Sequence, residues 1–156
     1  RVLQRIVSRR KKGGSNRKKA VHALQVHHEY IANQRKDFLN KMANDFVVNN
    51  DLIAIEELQI KNMVRNHNLS KSILDGGWGY FAKRLSDKAV EAGREVVRVN
   101  PAYTSKTCSG CGTIFDDLDL SIRWVDCDCG VSLNRDVNAA INILKRALQN
   151  RDGQSR

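Results

Sequence analysis

The sequence has little proline and few aromatic residues. Among its 156 residues, proline occurs once, at Pro101, and Phe, Trp and Tyr together make up 6%. A single proline excludes collagen-like and proline-rich classes. No stretch approaches the ~20 apolar residues of a transmembrane helix, and no signal peptide opens the chain. We therefore expect a cytoplasmic protein with no membrane partner. Because residue 1 is Arg and not Met, we also expect a piece of a longer product.

Acidic residues are absent from the first 28 residues, and the first one is Glu29. The net charge of +10 therefore lies almost wholly in a basic arm, residues 1–19. Such runs bind phosphate backbones by counterion release, which would place the protein at the nucleoid. A membrane surface, an acidic protein or a solvated linker would also fit the charge alone. The candidate nucleic-acid-binding residues are Arg9, Arg10, Lys11, Lys12, Arg17, Lys18 and Lys19.

The cysteines form two close pairs, Cys108 with Cys111 and Cys127 with Cys129. Two such pairs at this separation are typical of a structural zinc site, in which each pair forms one knuckle. Glycines beside them, at 110, 112 and 130, permit the tight turns that a knuckle needs. Two disulfides are the alternative, which a reducing cytosol disfavours. The module has little hydrophobic content, and so we expect it to need its metal to fold; that content is Ile114, Phe115, Leu118, Leu120 and Trp124.

Hydrophobic periodicity predicts an order of helix, strand, helix, strand, cysteine module and helix. This order favours an α/β layer with parallel strands. The predicted elements are a short helix or strand end in residues 1–10, a long helix capped by Ser15 or Asn16 and ending near Val48, a buried strand Leu52–Ile55, a surface loop 59–72, a helix from Gly79 to Gly93, a strand Glu95–Asn100 and a last helix of about Arg135–Gln149. The faces expected to be buried are Ala20, Leu24, Ile31, Phe38, Met42 and Phe46 on the long helix, and Val137, Ala140, Ile141, Leu144 and Leu148 on the last.

Two carboxylates have positions that suggest a metal site. Glu56 follows the apolar strand, and sites in open α/β sheets form outside that end. Asp136 begins the last helix, where Asn134 would be the cap. Carboxylates are the ligands of Mg²⁺ or Mn²⁺ in phosphodiester cleavage. A solvated Glu56 and an Asp136 that only complements the helix dipole are the alternatives. Similarly, Trp78, Tyr80 and Phe81 are expected to pack on the sheet, with base stacking as the alternative.

Several strings resemble the C-terminal half of the transposon-encoded TnpB proteins, also called OrfB and described as transposases of insertion sequences. They are TSKTCSGCG (104–112), CDCG (127–130) and NRDVNAAINIL (134–144). The resemblance extends upstream through ANQRKDFLNKMA (32–43), IAIEELQIKNM (53–63) and LSKSILDGGWGYF (69–81), and so covers essentially the whole chain.

This resemblance implies a partial RNase H-like fold of the RuvC type, with an inserted zinc ribbon. The expected division is residues 1–103 for the RuvC-like portion, 104–131 for the ribbon and 132–156 for the closing helix. It also implies a metal-dependent DNA endonuclease that works with a transposon-derived guide RNA. Zn²⁺ is then structural, and Mg²⁺ or Mn²⁺ is catalytic. The second and third catalytic carboxylates of the family fall on Glu56 and Asp136, with Asn138 nearby.

The chain departs from the family pattern at three points. The first catalytic Asp lies in a G-x-D-x-G strand that this sequence does not contain, and so we expect no efficient cleavage by this chain alone. Asn134 replaces a more usual acid, and the second cysteine pair is one residue shorter than the usual knuckle. The alternatives are therefore a nucleic-acid-binding fragment without catalysis or an inactive transposon relic. Outside the family, a zinc-ribbon DNA binder of the transcription type would not explain IAIEEL and NRDVNAA.

Overall fold

The chain folds into helices packed around short strands, followed by a cysteine-containing segment and a last helix. The structure is a computed structural model that describes residues 1–119 and 121–154, with the side chains of residues 153 and 154 left out. The described elements are α1 (Val2–Arg9), α2 (Ser15–Asn49), β1 (Leu52–Glu56), α3 (Ile60–Met63), α4 (Ser70–Gly76), α5 (Trp78–Glu91), β2 (Glu95–Val99), β3 (Trp124–Asp126), β4 (Ser132–Asn134) and α6 (Arg135–Gln154). None of these helices has the length and apolar content that a bilayer crossing requires.

Strands β1 and β2 pair in parallel, as predicted, with Leu52 opposite Glu95 and Glu56 opposite Val99. The crossover between them contains α3, α4 and α5. Strand β2 begins shortly after Gly93, which adopts a φ of 65°. In this left-handed position the following amide, that of Arg94, donates to the Ala89 carbonyl and ends α5. Gly93 therefore ends the helix, as predicted.

One face of the two-stranded sheet forms the main core with α2 and α5. The buried cluster contains Ala43 and Val47 from α2, Ile53 from β1, and Leu85 and Ala89 from α5. These residues are spaced four apart on each helix, and so they form one stripe.

The opposite face of the sheet lies against α6. Side chains alternate along a strand, so Ile53 on the core side puts Glu56 on the other side. The pairing of Arg151 on α6 with Glu95, at 3.2 Å from Nε to Oε2, identifies this second side as the one that α6 covers. Helix α6 accordingly contacts both β1 and β2.

The cysteine segment consists of two small hairpins. Thr107 bridges to Ile114 in the first, and β3 pairs antiparallel with β4 in the second. Strand β4 runs directly into α6, where the Asn134 side chain accepts a hydrogen bond of 2.9 Å from the Asp136 amide. Asn134 is thus the cap that we predicted. Ile114 and Trp124 are exposed, and it is Val125 that is buried. Leu120 lies outside the described residues.

A set of polar contacts joins α6 to the loop 104–109, which we call the brace. Asn138 accepts from the Ser109 amide at 2.8 Å and donates to the Thr107 carbonyl at 2.7 Å. Asn142 donates to the carbonyls of Thr104 and Thr107, at 2.9 and 2.6 Å. The buried polar residues of the described chain all belong to the brace, and they are Thr104, Ser109, Asn138 and Asn142.

The brace explains why the predicted buried face of α6 is wrong. Val137, Leu144 and Leu148 are all more than 40% exposed, whereas Asn138 is completely buried. The loop carbonyls have no partners of their own, and an unpaired buried carbonyl costs more than an exposed leucine. The helix therefore turns its amide side chains inward.

Three other expectations about α2 and its surroundings need correction. The buried face of α2 is Leu39, Ala43 and Val47, one residue beyond the predicted Phe38, Met42 and Phe46. Its N-cap is Gly14 and not Ser15 or Asn16, because the helix begins at Ser15 and the amides of Arg17 and Lys18 donate to the Gly14 carbonyl. The segment 59–72 contains α3 and the start of α4, and so it is not a loop throughout. The sequence of this segment is polar and has no apolar periodicity, which is why no helix was predicted. Backbone hydrogen bonds between residues three or four apart nevertheless form short helical turns there.

We expect Asn138→Ala to lower the free energy of unfolding by about 2 kcal/mol, because it leaves the buried Ser109 amide without a partner and removes one of the two donors to the Thr107 carbonyl. Urea denaturation in the presence of excess zinc measures the change. Asn150→Ala is the matched control, since Asn150 is an exposed residue of the same helix and gains the same helix propensity. Equal effects of the two substitutions would contradict the role given to the brace.

Candidate functional site

The structure brings the four predicted cysteines together. Cys108 and Cys111 lie in the turn of the first hairpin, and Cys127 and Cys129 lie between β3 and β4. All four sulfur atoms lie within 4.8 Å of one another, and no other group of three or more His, Cys, Asp or Glu ligands is found in residues 1–119 and 121–154.

The sulfur separations suit one tetrahedral metal. The Sγ atoms of Cys108 and Cys129 are 3.6 Å apart, and those of Cys111 and Cys127 are 3.5 Å apart. Four sulfurs at about 2.3 Å from a tetrahedral zinc are about 3.8 Å from each other. A disulfide needs about 2.05 Å, and all four thiols are free. The arrangement therefore fits a metal and does not fit the alternative of two disulfides.

Gly110 shows how closely the two hairpins approach. A Cβ atom there would lie 2.6 Å from the Val131 side chain and 3.2 Å from the Cys129 sulfur. The Gly110 amide also lies 3.4 Å from the Cys108 sulfur, toward which it donates. Only glycine allows the backbone this close to both sulfurs, which supports the predicted reason for its position.

Hydrogen bonds make the cysteines chemically unequal. At Cys111, the Thr113 hydroxyl and the Thr113 amide lower the thiol pKa to about 6. At Cys108, burial raises the pKa, but the amides of Cys111 and Gly110 outweigh it and the net shift is downward. At Cys127, the Cys129 amide lowers the pKa, but the neighbouring Cys111 sulfur and burial raise it to about 12. One cluster thus combines two thiols whose pKa values are lowered with one whose pKa is raised.

Glu56 ends β1 and turns toward α6. The Thr104 hydroxyl donates to its Oε1 at 2.5 Å, and the side chain is half-buried. Glu57 is exposed, and its amide continues the sheet by donating to the Val99 carbonyl. The two neighbouring acids therefore differ in surroundings, and the predicted one is the one held by the fold.

Asp136 lies in the first turn of α6 and is exposed. It precedes Asn142 by six residues, or about 9 Å along the helix axis. Asn142 in turn binds the carbonyl of Thr104, the residue that holds Glu56. The two predicted carboxylates thus lie on elements that pack together, and one residue, Thr104, links Glu56 to α6.

A pocket of about 110 Å³ borders Glu56 and is lined by Trp78 and Arg98 among others. Trp78 is 46% exposed, contrary to the expected packing on the sheet. Tyr80 does pack, donating to Asn40, and Phe81 lies edge-on to Phe46 with ring centres 6.2 Å apart. Of the three aromatic residues, Trp78 is the one available to a ligand.

The basic arm is a helical hairpin. Helix α1 packs against α2, and the turn between them is closed by the Gly14 amide donating to the Lys11 carbonyl. The seven predicted basic residues cluster at this end of the hairpin, all exposed except the half-buried Arg17. They are far in sequence from the carboxylates, and no contact joins α1 to β1 among the principal contacts between elements.

Sequence reasoning missed Thr104 and Asn142. Thr104 lies in a segment whose prediction rests on cysteine spacing, and Asn142 lies in a helix predicted from its apolar periodicity. Neither pattern assigns a role to a polar residue. The signal that was available is their position within the strings shared with the TnpB family, TSKTCSGCG and NRDVNAAINIL.

Two family profiles match the chain. One, described as "Probable transposase", covers residues 1–67, and the other, "Cas12f1-like, TNB domain", covers residues 78–143. A Streptomyces pristinaespiralis protein named "Putative RNA-guided DNA endonuclease" is 40% identical over 146 residues, which is 93% of this chain and 36% of that protein. The Escherichia coli K12 protein "Putative RNA-guided DNA endonuclease InsQ" is 36% identical over 91% of this chain and 39% of its own length. The Acanthamoeba polyphaga mimivirus "TnpB-like protein L79" is 34% identical over 94% of this chain and 29% of its own length.

The chain therefore spans between 29% and 39% of the length of these relatives. Among solved structures, one described as "Cryo-EM structure of CRISPR-Cas12f Ternary Complex" matches 91% of this chain and 30% of its own, with a TM-score of 0.64 at 24% identity. A second, "Cryo-EM structure of the Cas12f1-sgRNA-target DNA complex", gives 0.58 at 23% identity over 81% of this chain and 36% of its own. At these identities the likeness shows a shared fold.

We expect iodoacetamide at pH 7 to alkylate Cys111 before Cys127 in the metal-free chain. The pKa of about 6 leaves Cys111 mostly thiolate at this pH, whereas about 12 leaves Cys127 protonated. Peptide mass spectrometry over time gives the order. One equivalent of Zn²⁺ should protect both residues. Thr113→Val, which removes the hydroxyl beside Cys111, should slow the labelling of Cys111. Equal labelling rates for Cys111 and Cys127 in the metal-free wild-type chain, together with no protection by Zn²⁺, would contradict the site.

Proposed function

This chain belongs to the TnpB (OrfB) family of transposon-encoded proteins, and from this membership we propose that it is the C-terminal portion of an RNA-guided, divalent-metal-dependent DNA endonuclease. The observation that carries the proposal is the position of Glu56, at the carboxyl end of a parallel strand and linked to the helix that bears Asp136. The names of the relatives, RNA-guided DNA endonucleases among them, support the same activity.

For the fold, we propose a partial RNase H-like domain of the RuvC type. Residues 1–103 and 132–156 form this domain, and residues 104–131 form an inserted zinc ribbon. The parallel pair β1–β2, covered by α5 on one face and α6 on the other, supports the first assignment. The four clustered sulfurs, held in two small hairpins, support the second.

Glu56 and Asp136 would hold Mg²⁺ or Mn²⁺, and the bound ion would supply an activated water and charge neutralisation at the phosphate. The residues of the chain position the two carboxylates. Strand β1 and Thr104 hold the Glu56 carboxylate, and the Asn134 cap fixes the start of α6 beside Asp136. The four cysteines would hold Zn²⁺ and supply no chemistry, since all four ligand positions are filled by protein.

DNA and a transposon-derived guide RNA are the proposed partners. The seven basic residues at the end of the α1–α2 hairpin supply the phosphate-binding charge. Trp78 and Arg98, beside Glu56, offer a ring for stacking on a base and a cation for a phosphate. These groups lie on the sheet domain and the hairpin, and so binding does not depend on the cysteines alone.

A second candidate is nucleic-acid binding without cleavage. It is favoured by the sequence, which carries two of the three carboxylates that the family resemblance implies and no G-x-D-x-G pattern. Two carboxylates hold a divalent ion weakly, and we propose that the chain alone is inactive and that a first Asp must come from another segment.

We expect Glu56→Ala and Asp136→Ala to lower DNA cutting by about 100-fold or more, because metal stabilisation of the transition state is worth several kcal/mol. The assay uses the product of the whole open reading frame that contains this chain, and not the chain alone. That product is expressed with the RNA of the flanking element and assayed with Mg²⁺ or Mn²⁺. DNA binding should persist. Glu57→Ala is the control, since Glu57 is an exposed acid next to Glu56 and should cut normally. Unimpaired cutting by both site variants would overturn the nuclease proposal.

For the basic arm, we expect the double substitution Lys11→Gln, Lys12→Gln to weaken binding of single- and double-stranded nucleic acid and to reduce the slope of log affinity against log salt by about two. Fluorescence anisotropy across a salt series measures this. The control is Lys41→Gln, Lys83→Gln, which removes the same charge from lysines that pair with Asp37 and Asp87. An equal loss in both would indicate a net-charge effect and no defined arm site.

A further inference from the structure

We infer that Thr104 is a positioning residue for Glu56, and that the brace couples the cysteine cluster to this carboxylate. Thr104 is only 3% exposed, and its hydroxyl donates to Glu56 Oε1 at 2.5 Å. The same hydroxyl lies 3.0 Å from the Pro101 carbonyl. A hydroxyl has one proton, and the shorter contact is to the carboxylate. The inference rests on the proposed function in taking Glu56 as the metal ligand to be oriented.

The brace holds Thr104 in place from the side of α6. Asn142 donates to the Thr104 carbonyl at 2.9 Å, so the residue is bound at its backbone by α6 and at its side chain by β1. Asn142 is 7% exposed, and no buried polar side-chain atom of the described residues lacks a partner. A fully satisfied buried network of this kind favours one arrangement of its members.

Backbone strain next to Thr104 supports a positioning role. Tyr103 has a φ of 61°, the one positive value among the described non-glycine residues. A bulky residue rarely adopts this left-handed conformation, because its Cβ atom then lies too close to the following carbonyl oxygen. The Thr107 hydroxyl and the Lys106 amide both donate to the Tyr103 carbonyl, at 2.8 and 3.1 Å. These hydrogen bonds therefore hold the loop in a strained conformation. In this conformation the Thr104 hydroxyl points toward Glu56.

The same loop carries a ligand of the cysteine cluster. Cys108 lies between Thr107 and Ser109, whose backbone groups bind Asn138. Lys145 of α6 also donates to the Ser109 carbonyl. A metal bound at the cysteines therefore fixes one end of the loop, and Thr104 at the other end holds Glu56. Coupling follows, because ordering the loop at one end lowers the entropy cost of ordering it at the other.

The rotamer of Glu56 tests the inference without any metal at the carboxylates. In zinc-loaded, isotope-labelled chain, three-bond NMR couplings across the Glu56 Cα–Cβ and Cβ–Cγ bonds should report one rotamer. In Thr104→Val, which keeps the shape and loses the hydroxyl, they should average over several rotamers. Thr104→Ser should restore one rotamer. Removal of zinc with a chelator should cause the averaging in the wild-type chain.

The control is Ser86→Ala, which removes a part-buried hydroxyl that donates to the Ala82 carbonyl within α5 and takes no part in the brace. It should leave the Glu56 couplings unchanged, and zinc content should equal one in every variant. If Thr104→Val does not fold, Thr104→Ala removes the same hydroxyl without needing more room. One retained Glu56 rotamer in the variant without the hydroxyl would overturn the positioning role. Unchanged wild-type couplings after zinc removal would overturn the coupling.

A Mn²⁺ titration followed by electron paramagnetic resonance separates this inference from the proposed function. Loss of an outer hydrogen bond to a metal ligand weakens binding by about tenfold or more, and so Thr104→Val should bind Mn²⁺ about tenfold more weakly than wild type, with Thr104→Ser close to wild type. Glu56→Gln should bind more weakly still. If Glu56→Gln binds Mn²⁺ like wild type, the proposed metal site is wrong, while the NMR couplings still decide the role of Thr104.

Discussion

The buried hydrogen bonds between α6 and the loop 104–109 are the interaction on which the rest of this structure depends. The loop turns tightly and leaves several carbonyls and an amide away from water, and such groups are costly unless they are paired. Asn138 and Asn142 pair them from one side of α6. This requirement decides how α6 is rotated, and the rotation determines where Asp136 lies relative to the sheet. The same contacts hold the first cysteine pair beside the start of the helix.

Two candidate metal sites are consequently parts of one assembly. The cysteine segment has a small core, with Val125 buried but Ile114 and Trp124 exposed. The brace therefore contributes much of what holds it in place, and we expect a bound metal to stabilise it further. The sheet is also small, since it has only the strands β1 and β2. Glu56, at the end of β1, lies on the side that faces α6. Thr104 lies where the segment, the sheet and α6 meet. The chain is thus similar to proteins named as RNA-guided DNA endonucleases over a portion that contains both the cysteine cluster and the two carboxylates.

Much of the secondary structure was predictable because it depends on local patterns. The run LIAI is apolar and contains two β-branched isoleucines, and it forms β1 together with Glu56. Gly93 ends α5, since only glycine accepts that conformation at low cost. The faces of the long helices were less predictable. On α2 the buried stripe is shifted by one residue, because the sheet and α5 select the small Ala43, which permits close approach, over the larger Met42. On α6 the residues Asn138 and Asn142 are buried, because the helix packs on the loop 104–109, whose backbone groups they pair, as well as on the sheet.

The sequence by itself determined which groups are available: four thiols in two pairs, two carboxylates at element ends and a basic arm. Spacing along the chain is sufficient for these, since each pair of cysteines and each cap is a local feature. Only the tertiary structure decided that the two cysteine pairs share one centre, that Glu56 rather than Glu57 faces α6, and that Thr104 joins the two regions. These facts depend on contacts between residues up to 48 positions apart, and the need to pair buried polar groups, which acts only once the chain has folded, selects among them.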